Sequence, residues 1–146
     1  MVRLSKYFRF SIILLLIYFA CGTKQTFPSG EAEISSTQLK KILDDKIDVI
    51  IIDVRTSEEY TGELGHIPVS ILRPVREIES WASEFDSLKS KNIKIIIVCR
   101  SGIRSATATK YFIEKGFVNV YNLVGGMQAW NKAQYPIEKN LPENNE

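Results

Sequence analysis

Apolar and polar residues along this chain follow two rhythms that take turns. Val49-Ile50-Ile51-Ile52 is a short, continuous β-branched run, and Ile93-Lys94-Ile95-Ile96-Ile97-Val98 is a longer one with a single polar interruption. Runs of this kind read as strands buried on both faces. Leu39, Ile42 and Leu43 instead share one helical stripe. Ile78, Trp81, Ala82, Phe85 and Leu88 share another, with Glu77, Glu79, Ser83 and Glu84 opposite. Both tryptophans, Trp81 and Trp130, fall on core-facing helix positions. Ser35-Ser36-Thr37-Gln38 and Thr56-Ser57-Glu58-Glu59 fit capping boxes at helix starts. A further helix is expected from about Arg104 to Lys115, closed by Gly116 with Phe117 packing back on its last turn. Ile67–Leu72 and Val118–Leu123 are weaker strands, and Met127–Lys132 a last short helix. This alternation implies the α/β class, a small parallel sheet with helices on both faces. Such sheets bind ligands beyond the carboxyl ends of their strands. The two best strands release Asp53–Ser57 and Cys99–Ser105 at that edge.

The first thirty residues break the rhythm. Arg3, Lys6 and Arg9 precede a stretch from Phe10 to Ala20 whose one polar residue is Ser11. As a helix it reaches about half of the ~30 Å hydrocarbon core, the length of the apolar region of a secretory signal. Tyr18-Phe19-Ala20-Cys21-Gly22 is similar to the lipobox of bacterial lipoproteins, where a small residue precedes a cysteine that is lipidated. Ala20 fits that position; Tyr18 and Phe19 depart from the usual leucine and small residue. The expected organisation is a signal peptide at 1–20, a linker at 21–32 after a lipidated Cys21, one domain at 33–140 and a polar tail at 141–146. An ordinary cleaved signal or an uncleaved anchor are the alternatives. The expected location is an exported, membrane-anchored lipoprotein facing the periplasm or cell exterior.

Charge and composition then narrow the function. Of 19 basic residues three lie in the first ten, leaving 16 against 17 acidic residues. That balance gives no electrostatic footprint for nucleic acid. Two cysteines and one histidine, His66, cannot supply the roughly four ligands of a structural zinc site, so no metal and no cofactor are expected.

The candidate chemistry lies in Cys99-Arg100-Ser101-Gly102-Ile103-Arg104-Ser105, which runs from a buried strand into a helix. Backbone N–H groups of such a loop can converge on one centre, and the helix adds its positive end. Arg100 and Arg104 add full charges. Each influence favours a thiolate at Cys99, and Gly102 lets the backbone turn tightly. The competing reading is a buried, inert strand-end cysteine.

Cys99-Arg-Ser-Gly-Ile-Arg-Ser105 resembles the active-site loop of single-domain rhodaneses. Asp53-Val54-Arg55 with Glu58-Glu59-Tyr60, then Gly65-His66-Ile67-Pro68, then Gly116-Phe117 through Asn122-Leu123 and Gly125-Gly126-Met127-Gln128-Ala129-Trp130 resemble other motifs of that family, in the same order. The resemblance covers roughly residues 33–135. Val69-Ser70 stand where the family usually has Gly-Ala or Ala-Ala, a change expected to alter packing behind the loop. The resemblance implies a sulfurtransferase. Cys99 would be the catalytic nucleophile and carry a persulfide. The segment Arg100, Ser101, Gly102, Ile103 and Arg104 would bind the substrate, its N–H groups cradling the sulfur and its arginines drawing an anionic donor. The partners would be thiosulfate or a low-molecular-weight persulfide, and a thiol or other thiophilic acceptor, with the chain a monomer.

Cys99 to Arg104 is a Cys-x4-Arg spacing, whereas related phosphatases and arsenate reductases use Cys-x5-Arg. The shorter loop favours one sulfur atom over a tetrahedral oxyanion. A non-catalytic binding or regulatory module of the same fold is the remaining alternative. Asp53, Arg55 and His66 read as structural supports near the site: Asp53 capping backbone N–H groups, Arg55 pairing with Glu58 or Glu59, His66 bracing a loop. Ser105 reads as serving the helix start, with contact to bound sulfur as the alternative. With Cys21 lipidated, Cys99 would be the one free thiol, and sulfur would leave to an external acceptor.

Overall fold

The computed structural model describes residues 32–140. In chain order they form β1 (Glu33–Ile34), α1 (Ser36–Asp44), β2 (Val49–Asp53), α2 (Ser57–Thr61), β3 (Ile71–Leu72), α3 (Ile78–Trp81), β4 (Lys94–Val98), α4 (Ile103–Glu114), β5 (Val120–Leu123) and α5 (Gly126–Lys132). The five strands make one parallel sheet in the order β1-β5-β4-β2-β3. β4 lies at its centre, paired with β2 and β5.

Side chains of a strand alternate between the faces, and β4 divides its residues accordingly. Ile95, Ile97 and Cys99 join the cluster under α3 and α4, with Trp81, Phe85, Ala108 and Phe112. Ile96 and Val98 join the opposite cluster under α1 and α5, with Leu39, Met127 and Trp130. Burying each such isoleucine contributes about 1.5–3 kcal/mol. The strand that ends at Cys99 is therefore among the most firmly held in the fold.

Both capping boxes form. Gln38 and Glu59 each receive the N-cap backbone N–H while the Ser35 and Thr56 side chains accept from them. Gly116 (φ 92) closes α4, and the Phe117 N–H reaches back to the Phe112 carbonyl. Three elements differ from expectation. The strand expected at Ile67–Leu72 shrinks to two residues, because Pro68 has no N–H to donate and Val69 is left-handed at φ 64. The helix expected across Ile78–Leu88 is α for only its first turn, with 3-10 turns at Val75–Glu77 and Ala82–Leu88. β1 was not foreseen; two residues are too few to show a period.

The proposed signal peptide, Cys21 and the polar tail lie outside the described residues. Among the described residues no helix is long and apolar enough to cross a membrane.

Candidate active site

Cys99 is the first residue past β4, on the face covered by α4, and is only 1% exposed. The loop behind it is held from below by α5. Met127 and Gln128 donate their N–H groups to the carbonyls of Cys99 and Arg100, at 2.9 and 3.0 Å. That contact requires glycine at Gly126 (φ 53), since a Cβ there would run into the Cys99 carbonyl oxygen. Gly102 (φ 94) packs on Gly125 less tightly, where a Cβ would stand 3.0 Å from the backbone nitrogen. The Gly125-Gly126 pair is thus a second half of the active-site loop, which the sequence showed as a motif but not as a contact.

With its backbone so fixed, the loop turns its donors toward sulfur. The Gly102 N–H donates to Cys99 Sγ at 3.1 Å and the Ser105 hydroxyl at 3.3 Å. The backbone N–H groups of Ser105 and Ser101 add to them. Gly102 is the N-cap of α4 and carries no side-chain cap, so the helix's first N–H groups remain for a ligand. Burial raises the thiol pKa and is the largest single influence on it. The Ser105 hydroxyl and the N–H groups of Ser105, Ser101 and Gly102 together outweigh burial and hold the thiol below its ordinary range. The loop N–H groups expected to converge on Cys99 are among its donors, and the Ser105 hydroxyl joins them. Hydroxyl and backbone donors lead, not the arginines, and Ser105 sits inside the helix on the sulfur rather than capping it.

Arg104 pairs in bidentate fashion with Glu59, at 2.6 and 2.7 Å, which raises the guanidinium pKa and lowers that of the carboxyl. Its charge still acts on Cys99, but after that of Glu59. Arg100, Ser101 and Ile103 are exposed. Arg100 lines a shallow concavity with Arg55, Glu58, Glu59, Glu63 and Leu64. Of the three acidic residues on that rim, Glu63 was not singled out from the sequence, and Glu58 and Glu59 were read only for capping, for the motif and for pairing with Arg55.

Asp53 and Arg55 are each 1% exposed and form a closed pair at 2.7 Å. Arg55 spends its remaining donors on the carbonyls of Glu59 and Gly65, at 3.0 and 2.7 Å. Its acid partner is Asp53, not the expected Glu58 or Glu59, because the side chain turns inward from the strand end. His66 is buried against the Tyr60 ring, with centroids 3.7 Å apart, and its Nδ1 lies 3.1 Å from the Tyr60 carbonyl. Its backbone bridges Glu138. Val69 is 76% exposed and fills nothing behind the loop, contrary to expectation. Ser70 is the buried member of that pair, its carbonyl accepting from the Tyr60 hydroxyl at 2.6 Å. Among the described residues no cluster of three or more His, Cys, Asp or Glu could hold a metal ion.

A buried thiol held by inward donors, at the carboxyl edge of a parallel sheet, defines a class of thiol-bearing α/β domains. Within that class, this chain belongs to the rhodanese-like domain family, whose model matches residues 35–133. It is 37% identical over 105 residues to a sulfurtransferase of Allochromatium vinosum, covering 72% of this chain and 92% of the relative. To the thiosulfate sulfurtransferase GlpE of Pseudoalteromonas translucida it is 39% identical over 100 residues, 68% of this chain and 89% of that one. The crystal structure of a rhodanese-like domain protein from Staphylococcus aureus superposes with a TM-score of 0.60 at 35% identity, over 73% of this chain and 97% of that chain.

Proposed function

We propose that this domain moves a sulfane sulfur from thiosulfate or a low-molecular-weight persulfide to a thiophilic acceptor, through a persulfide on Cys99. The observation that carries the reading is the set of hydroxyl and N–H donors gathered on Cys99 Sγ at an uncapped helix start. The thiolate attacks the outer sulfur of the donor. A sulfur–sulfur bond forms to Cys99, the donor's own sulfur–sulfur bond breaks, and sulfite or a thiolate leaves with the bonding pair. The new terminal sulfur carries the negative charge, which the loop N–H groups of residues 100–104 stabilise. An acceptor thiolate then takes that sulfur, and the electron pair returns to Cys99. Arg100 is the exposed cation on the donor's approach.

Intact mass after exposure to thiosulfate, and separately to an alkyl persulfide, tests the reading. A gain of about 32 Da in the native chain and none in Cys99→Ser is expected of a covalent sulfur intermediate. No gain with either donor would leave a non-catalytic binding module.

We also propose that the chain works outside the cytoplasm as a monomer, anchored through a lipid on Cys21. The cations Arg3, Lys6 and Arg9, the apolar stretch to Ala20 and the cysteine after it support this. Labelled palmitate incorporated by the native chain and lost in Cys21→Ser is the expected result. A cytoplasmic, unlabelled product would refute it.

A further inference from the structure

β5 carries a polar residue where its alternation calls for an apolar one. Val120 and Asn122 face α4 while Leu123 faces α5, and Asn122 is 5% exposed. Its backbone is pinned, its strand pairing with both β1 and β4. Its side-chain oxygen Oδ1 lies 2.6 Å from Ser105 Oγ, and Ser105 Oγ lies 3.3 Å from Cys99 Sγ. Ser105 is fully buried.

A hydroxyl has one proton and two lone pairs. The Ser105 proton can serve Asn122 Oδ1 or Cys99 Sγ, but not both. With a neutral thiol, the short contact to Oδ1 holds it. With a thiolate, the anionic sulfur is the stronger acceptor and draws the proton to itself. A lone pair of Ser105 would then face Oδ1 at 2.6 Å with no proton between them, a repulsive contact in a site too buried for water to relieve. Turning the amide end over end removes the conflict. Its two ends are nearly the same size, and the turn needs no backbone movement.

The geometry points to Asn122 as a positioning residue for Cys99: its amide donates to Ser105 Oγ, which turns the Ser105 proton onto the thiolate, and reverts to accepting that proton when the sulfur is uncharged. The inference rests on Cys99 being the nucleophile. It deepens that reading by giving Ser105 two positions and naming the residue that supports each. The Ser105 hydroxyl is the leading donor that offsets the burial of the thiol. Donors in such a chain polarise one another, so removing the far member weakens the near one.

The test is the pH dependence of Cys99 alkylation by iodoacetamide, which reads the thiolate fraction and needs no sulfur donor. Other charged groups around the thiol stay in place: Arg104 on its own loop, Glu59 of α2 that pairs with it, and the Asp53–Arg55 pair at the end of β2. β5 and the start of α5 bring no charged residue. Ser105→Ala is expected to shift the midpoint upward and slow alkylation at neutral pH about three- to tenfold. Asn122→Leu, similar in size and unable to hydrogen-bond, is expected to shift it in the same direction by about two- to fivefold. Adding Asn122→Leu to Ser105→Ala should then change nothing further.

The opposite role for Asn122, holding the hydroxyl away from sulfur, predicts faster alkylation in Asn122→Leu and would overturn the inference. So would an unshifted midpoint in Ser105→Ala, a variant that replaces a residue inside a helix with the best helix former and needs no core repacking. Should Asn122→Leu not fold, the native chain decides. The side-chain amide signals of Asn122 are expected to titrate with the thiol and to stop doing so in Ser105→Ala; signals that ignore the thiol refute the relay. A chain that passes this test yet gains no sulfur mass would lose the proposed function and keep the relay.

Discussion

Two neighbouring strands, β2 and β4, end in register and release loops at the same edge of the sheet, yet the loops do opposite things. After β2, the donors close on the loop itself and its neighbours. Arg55 is closed on Asp53 and two carbonyls, and Thr56 and Glu59 cap α2 reciprocally. After β4, the helix begins at a glycine with no side-chain cap, and the donors turn onto a sulfur. Both loops carry arginines and small polar residues. What separates them is whether the helix start satisfies itself. A self-capped start is scaffold, and an uncapped one built around a nucleophile has its N–H groups left for an anion.

The strongest way to break this contrast is to open the closed pair. Asp53→Ala strands the Arg55 guanidinium at 1% exposure without its acid. The cost expected from urea unfolding is about 3–5 kcal/mol, with sulfur transfer per folded molecule within about twofold of the native chain. Loss of activity at unchanged stability would mean that the β2 loop takes part in the chemistry.

The converse substitution is Gly126→Ala. It forces a Cβ onto the Cys99 carbonyl and places a side chain at φ 53. A displacement of about 1 Å at the nucleophile costs on the order of 100-fold in rate. The left-handed backbone alone costs about 1–2 kcal/mol of stability, and the backbone clash adds to it. Thermal melts and turnover with a common donor separate the two effects. An active variant would show that α5 does not set the loop.

The legibility of these two loops in sequence was unequal for a physical reason. Strand runs, both capping boxes and the Cys99 loop were readable because each depends on residues close together in the chain. Asn122 and Gly126 act on Cys99 from more than twenty positions away, and a contact of that kind leaves no periodic trace. The one available hint was Asn122 itself, a polar residue on the inward beat of Val120–Leu123. The pairing of Arg55 was misjudged for the opposite reason. Glu58 and Glu59 are near in sequence, but the Arg55 guanidinium turns inward and bonds the Asp53 carboxylate. Val69 and Ser70 were read together as packing residues, and only Ser70 points inward.

A smaller test removes the cap from the scaffold loop. Thr56→Ala takes away the acceptor for the Glu59 N–H at 3.3 Å. The expected loss is about 1 kcal/mol of stability with sulfur transfer unchanged. A slowed reaction would show that the start of α2 is coupled to the sulfur.

One residue does couple the two loops, and it sets the smallest effect. Glu59 sits on the self-capped helix and holds Arg104 of the other loop through two bonds. The Arg104 guanidinium, ahead of the opposing cost of burial, holds its carboxyl below the ordinary range. A carboxyl with a lowered folded pKa stabilises the protein above its unfolded pKa, about 4.3, and loses that contribution as pH falls through the folded value. The side chains of the pair are 38% and 26% exposed and therefore screened, so Glu59→Gln is expected to cost only about 0.5–1 kcal/mol at pH 7. The gap between native chain and variant should narrow as pH falls below the unfolded value and close once it is below the folded one. The same substitution frees the Arg104 cation beside the thiolate. For a dianionic donor the expected kinetic result is a KM lowered a few-fold with kcat little changed, because a cation not bonded to the reacting sulfur helps capture more than it helps the bond exchange. A lowered kcat would instead make the Glu59–Arg104 pair part of the loop's working geometry, and the division between scaffold and reactive loop would then run through α2 rather than between the strands.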